Sequence, residues 1–268
     1  MDGSRMPAAG EGEYPRFTRA VASLLSIDLT DYKRQQMERR IRDMAHRCLA
    51  PNLEAFAVML RRDGTLLRRF EQHITINVSR FYRNPEAFDY LAGAIVPQLR
   101  PGKKLRVWSA GCSYGAEAYT LAMLLHRFRP GAGGHILATD IDRPMLDRAR
   151  LGTGYTAAEV RDLPRDLADR YLQPAGGCYA VTEAIRRMVI FDDHDLLREP
   201  VTLNFDLVVC RNVVIYFTDE AKVGLYRKFM EVLRPGGFLF LGATETIGRD
   251  QDPGFHYVHL CFYRKPTA

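Results

Sequence analysis

Leu105-Arg-Val-Trp-Ser-Ala-Gly-Cys-Ser-Tyr-Gly-Ala-Glu-Ala-Tyr-Thr-Leu-Ala-Met123 is the stretch that decides the fold. Leu105, Val107 and Trp108 form a short apolar run of strand formers. Ser109 to Gly115 then reads as a tight turn. From Tyr114 or Ala116 the pattern becomes helical, with Tyr119, Ala122 and Met123 on one apolar face. Strand, glycine turn and helix together expose bare backbone at a helix N-terminus, where a ligand can approach closely.

The next apolar run, Ile136-Leu137-Ala138-Thr139, ends in Asp140-Ile141-Asp142. An acidic residue closing the second strand, about 20 residues beyond the glycine turn, pairs with a ribose diol in nucleotide-binding βαβ units. The glycines lack the G-x-G-x-x-G spacing of a dinucleotide site, and no P-loop lysine follows. A ligand with a ribose but no pyrophosphate fits, which points to S-adenosylmethionine. An ordinary βαβ crossover with glycines for packing is the alternative at this stage.

The chain has 268 residues, net charge +6 and a hydrophobic content of 47%. These values fit a globular protein of one large or two modest domains. The mild basic excess suggests an acidic partner without choosing among nucleic acid, anionic lipid and protein. Five scattered cysteines, with no C-x-x-C pair, argue against a disulfide framework and a zinc site. His256 and His259 have no third ligand in view, so no metal is expected. No signal peptide and no apolar run of about 18 residues is visible, so the expectation is a cytoplasmic protein without membrane insertion.

Residues 1–16, rich in Gly, Pro, Ala and charge, read as a disordered tail. From Phe17 the helical period sets in, and four helices are expected over 17–77. Arg39, Arg40 and Arg42 lie within a run of basic residues there, a candidate surface for an acidic partner. Residues 78–90 read as a linker, and 91–268 as a mostly parallel doubly wound α/β domain. Glycines between short β-prone runs suggest a small antiparallel insert at about 171–191. Val258 to Tyr263 reads as the last strand. Gly111, Asp140, Asp195 and the pair Arg211-Asn212 all fall at carboxyl ends of expected strands, where such sheets bind ligands.

Four segments carry a family resemblance: Asn77-Val-Ser-Arg-Phe-Tyr-Arg83, Trp108 to Glu117, Thr139-Asp-Ile-Asp142 and Cys210-Arg-Asn-Val-Val-Ile-Tyr-Phe217. In this order and spacing the chain resembles the chemotaxis receptor glutamate methyltransferases, the CheR family. The resemblance implies an all-α N-terminal domain, a Rossmann-like methyltransferase domain and a β-subdomain. It implies S-adenosylmethionine as donor, S-adenosylhomocysteine as product, and glutamates on acidic cytoplasmic helices of methyl-accepting chemoreceptors as acceptors. By the same resemblance, Asn77, Ser79 and Arg83 belong to a segment closing over the cofactor. Glu117 lies near the methionine amino group, Asp140 holds the ribose, Asp195 and Leu196 the adenine, and Arg211 and Asn212 contact the cofactor. Arg83 and Tyr216 fall near the transferring methyl, and Arg39, Arg40 and Arg42 in the receptor-facing region.

Some positions depart from the family pattern. Ala116 stands where the family has a carboxylate, and Ala243 and Ser79 also differ. The insert between Tyr171 and Glu183 is short, which in this family goes with independence from a tethering peptide on the receptor. A glutamate carboxylate, with a pKa of about 4.3, is already ionised at neutral pH, so the expected reaction needs positioning and no general base. A monomer is expected. A non-catalytic scaffold is the competing class. A nucleic-acid methyltransferase is disfavoured, because neither the Asn/Asp-Pro-Pro-aromatic signature nor a Pro-Cys nucleophile is present.

Overall fold

A computed structural model describes residues 12–25, 27–100, 102–129, 134–202 and 204–267. The chain divides into two compact units, Met1–Ile76 and Asn77–Ala268.

The first unit is all helical: α1 (Glu13–Val21), α2 (Arg34–Arg47), α3 (Leu53–Arg62) and α4 (Gly64–Ile74), with a short 3-10 turn at Leu29–Asp31. The expected disordered tail is therefore too long, since helix begins at Glu13; residues 1–11 lie outside the described residues. Asn52 accepts the Ala55 N–H, and Asp63 accepts those of Thr65 and Leu66. These caps set the starts of α3 and α4. The core is a triad of enclosed rings. Phe17 stacks on Phe56 with centroids 6.0 Å apart, and Phe70 meets both edge-on.

The second unit opens with an irregular segment to Asn84. A helical run follows, α5 (Pro85–Tyr90) continuing through a π turn at Leu91–Ile95 and a 3-10 turn at Val96–Gln98. Then come β1 (Leu105–Ala110), α6 (Ala116–Phe128), β2 (Gly134–Asp140), α7 (Arg143–Leu151), α8 (Ala157–Val160) and α9 (Arg165–Tyr171). A hairpin of β3 (Leu172–Ala175) and β4 (Cys178–Val181) leads to α10 (Glu183–Arg186) and β5 (Val189–Asp193). The chain closes with β6 (Phe205–Cys210), α11 (Asp219–Val232), β7 (Leu233–Leu241), β8 (His256–His259) and β9 (Phe262–Arg264).

The main sheet has seven strands in the order β5-β2-β1-β6-β7-β9-β8. The first five are parallel, and β9 and β8 add antiparallel. This is a Rossmann-like mixed sheet. β1 and β6 are buried along nearly their whole length, as central parallel strands require. The chain winds from β1 outward to β5 and returns to β6, so the topological switch lies between β1 and β6.

Two sequence expectations change. The run Met188 to Phe191 is not part of the small antiparallel insert. It forms most of β5, the edge strand pairing with β2. A short apolar run carries no mark of which sheet it joins. The insert is only β3 and β4, joined through Gly176 and Gly177 at φ 57° and 79°, the two left-handed positions a tight hairpin turn requires. At the C-terminus, the expected single strand is a hairpin that reverses at Leu260, where φ is 50°. Among the described residues no helix is long and apolar enough to cross a membrane.

Candidate active site

The carboxyl ends of β1 and β6 supply the central charges. Glu117 sits in the first turn of α6, and Arg211 directly follows β6. Their side chains are 3.5 Å apart and almost completely enclosed. Ser109, on β1, donates its hydroxyl to the other oxygen of Glu117 at 2.8 Å. The Arg211 guanidinium lies between two rings, 4.9 Å from the centroid of Phe88 and 4.7 Å from that of Phe240. It donates to the Arg83 carbonyl at 2.7 Å and to the Asn84 side chain at 2.9 Å. Burial raises the Glu117 carboxyl above its ordinary range, although Arg211 and Ser109 pull the other way. Burial likewise lowers the Arg211 guanidinium, against the pull of Glu117. Each charge depends on its partner, because an unpaired charge here would be very costly.

A second network surrounds the end of β2. One oxygen of Asp140 accepts the Ser113 N–H at 2.7 Å, and the other accepts the Asp142 N–H at 2.9 Å. Ser113 is left-handed at φ 49°, which turns its amide toward Asp140. The Asn77 amide donates to Asp142 at 2.7 Å and accepts from the Ser113 hydroxyl at 3.0 Å. Asp142 also caps α7 through the Met145 N–H. Burial raises the Asp140 carboxyl, and the backbone N–H groups partly offset this.

The segment expected to be a linker is ordered over 77–84. The Tyr114 hydroxyl donates to the Ser79 carbonyl. The Phe81 N–H meets the Glu159 carbonyl, and the Tyr82 N–H meets the Thr120 hydroxyl. The Arg83 guanidinium donates to the Val78 carbonyl at 2.8 Å. The bonds to Tyr114, Glu159 and Thr120 tie the segment to the unit it lies on. From Pro85 the expected linker is already helix.

Gly111 has φ 82°, and a Cβ there would come within 2.5 Å of Val213. The glycine lets the turn after β1 and the loop after β6 approach each other. Asn212 is left-handed at φ 59° and precedes the 3-10 turn Val214–Tyr216, which ends at half-buried Tyr216. Asp195 lies beyond β5, and its carboxylate accepts the N–H groups of Leu197 and Arg198. Leu196 is buried beside it. The fold thus gathers Glu117, Arg211 and Arg83 into one network, and Asn77 and Asp140 into another. Sequence reasoning gave no role to Ser109 and Ser113. Both lie inside the glycine-turn stretch, where their hydroxyls were a visible signal.

The chain matches the family model described as the CheR methyltransferase SAM-binding domain over residues 77–260, and that of the CheR methyltransferase all-alpha domain over 12–75. The chain belongs to the CheR methyltransferase family. A chemotaxis protein methyltransferase of Listeria monocytogenes is 40% identical over 257 residues, covering 95% of this chain and 98% of that one. Chemotaxis protein methyltransferase 1 of Pseudomonas aeruginosa is 38% identical over 205 residues, covering 72% of this chain and 74% of that one.

The cofactor of this CheR-family methyltransferase is S-adenosylmethionine. The site's donors and acceptors fit it. Asp140 is a carboxylate oriented by backbone N–H groups, as a ribose diol would require, Glu117 carries the charge an ammonium would need, and the turn at Gly111 presents bare backbone. Ala116, where a family carboxylate is replaced, is fully enclosed at the start of α6. Among the described residues no group of three or more His, Cys, Asp and Glu is arranged to hold a metal.

In the helical unit the three arginines expected to face a receptor separate. Arg39 is exposed. Arg40 donates to the carbonyls of His73 and Thr75 at the end of α4. Arg42 pairs with Glu13 at 3.0 Å and with Glu38 at 2.7 Å. Adjacent helical positions point about 100° apart, so a basic run in sequence is not a basic face. Arg40 and Arg42 tie parts of the helical unit together, and both stay partly exposed.

Proposed function

We propose that this chain methylates glutamate side chains of chemoreceptors, forming glutamate methyl esters in a chemotaxis pathway. The observation that carries this reading is the anchoring of Arg83 by Arg211, within the network that also holds Glu117. When bound, S-adenosylmethionine supplies an activated methyl group. The chain's own residues then have to position the acceptor. Glu117 and Asp140 hold the donor's polar ends. Arg83, its backbone fixed at the carbonyl, orients an incoming carboxylate, and Tyr216 donates a hydrogen bond near it. The acceptor is already ionised at neutral pH, so alignment supplies most of the rate. The names of the relatives support the pathway, and exposed Arg39, with other exposed arginines such as Arg47, Arg61 and Arg62, suits an acidic partner.

The test uses methyl-labelled donor and receptor-bearing membranes, followed by alkali. Volatile labelled methanol, dependent on receptor glutamates, is the expected result. Label that resists alkali, or that appears equally with receptors lacking those glutamates, would rule out this acceptor.

A further inference from the structure

Glu245 lies outside both networks, on the turn that follows β7, and is only 3% exposed. Its Oε2 accepts the Asn212 N–H at 2.8 Å and the Gly242 N–H at 2.5 Å. The backbone N–H groups of Val213 and Ile215 face this carboxylate and favour its charged form, while burial, the larger influence, raises it above its ordinary range. Oε1 is buried with no hydrogen-bond partner among the described residues. Two amides bonded to one carboxylate oxygen, with two more facing the group, make a nest of the kind that elsewhere receives an external anion. Here the chain fills it with its own side chain.

The nest needs two special backbone positions. Asn212 takes φ 59°, turning its amide inward. A Cβ on Gly242 would meet Glu245 Oε2 at 2.5 Å and the Asn212 nitrogen at 2.9 Å, so only glycine admits the carboxylate. The Asn212 amide opens the loop that runs to Tyr216, and the Gly242 amide lies on the turn after β7, so the carboxylate ties the two together.

We propose that Glu245 is a positioning residue for methyl transfer, whose carboxylate, seated in this amide nest, fixes the loop presenting Asn212 and Tyr216. This rests on Asn212 and Tyr216 serving the transfer. The carboxylate touches neither the donor nor the acceptor. It acts by satisfying amides that would otherwise be buried and unpaired, and by holding the 3-10 turn in one conformation.

The test compares Glu245→Gln and Glu245→Ala with the full-length parent. Glutamine keeps one oxygen for the nest and removes the charge. It is expected to lower kcat about tenfold or more with KM for donor nearly unchanged, since misplacement by about 1 Å costs up to roughly a hundredfold. Alanine leaves the nest open to a small anion. Added formate is expected to restore kcat saturably, while chloride at equal ionic strength does not. Amide hydrogen exchange of residues 212–216, read with S-adenosylhomocysteine and no acceptor, should rise in the alanine variant and fall again with formate. That readout stands even if the chemoreceptor is the wrong acceptor. Parental kcat in both variants, or parental exchange at 212–216, would overturn the proposal. A parallel loss of donor affinity and melting temperature without formate rescue would also overturn it, leaving Glu245 a purely structural residue.

Discussion

Both units contain a carboxylate bound by arginine, and the two behave in opposite ways. In the helical unit, Glu38 lies between Arg34 and Arg42 with its side chain 19% exposed. Burial pushes its carboxyl up, but hydrogen bonds from the two arginines outweigh this and hold it below the ordinary range. In the methyltransferase unit, Glu117 is sealed against Arg211, and burial prevails, holding its carboxyl above that range. Water access decides the sign. A partly solvated carboxylate keeps most of its hydration while gaining arginine bonds. An enclosed one loses its hydration first.

Arg211→Met is expected to have the largest effect. It leaves Glu117 buried without its counter-charge and releases the Arg83 carbonyl. A loss of about 3–5 kcal/mol in chemical denaturation is expected, with activity abolished. The matching change in the helical unit, Arg42→Met, should cost far less, because water can reach Glu38. Equal losses would mean that water access does not set the cost of losing the arginine.

Arg83→Ala comes next. It should reduce kcat about a hundredfold while donor affinity changes much less, as titration calorimetry would read. Asp140→Asn should do the reverse, weakening S-adenosylhomocysteine by about 1.5–3 kcal/mol, the worth of hydrogen bonds to a charged acceptor.

Acid separates the two regions by sign. Glu38, with its folded pKa lowered, stabilises the protein above the unfolded carboxyl value of about 4.3, and that stability is lost as pH falls below it. Glu117, with its folded pKa raised, contributes stability that is present below about 4.3 and is lost as pH rises through the folded value. In denaturation at pH 7 and at acid pH, the deficit of Glu38→Gln should shrink on acidification and that of Glu117→Gln should grow. On the roles proposed for Glu117 and Asp140 at the donor, donor affinity should fall as acid protonates them, beginning above the ordinary carboxyl range because burial raises both. The smallest effect belongs to Arg39→Glu. Stability should stay within about 0.5 kcal/mol, while association with an acidic receptor slows and loses salt dependence.

The sheet was legible because β1, its glycine turn and α6 repeat a pattern that backbone sterics impose locally. Asp140 was legible for the same reason, lying at the end of the next strand. The edge strand β5 was not, since an apolar run of this length does not record which sheet it pairs with. The bonds of Arg40 and Arg42 within the helical unit were not legible, because sequence counts charges and does not show which carbonyl or carboxylate each will meet.

Local chemistry along the chain determined the helical unit, the βαβ start and the kind of cofactor, because capping, periodicity and glycine turns act between near neighbours. Tertiary structure alone decided that Arg211 grips Arg83 across 128 positions and that Glu245 seats itself beneath Asn212, 33 positions earlier. Those contacts depend on strands from distant parts of the chain ending side by side, and on the exclusion of water once they do.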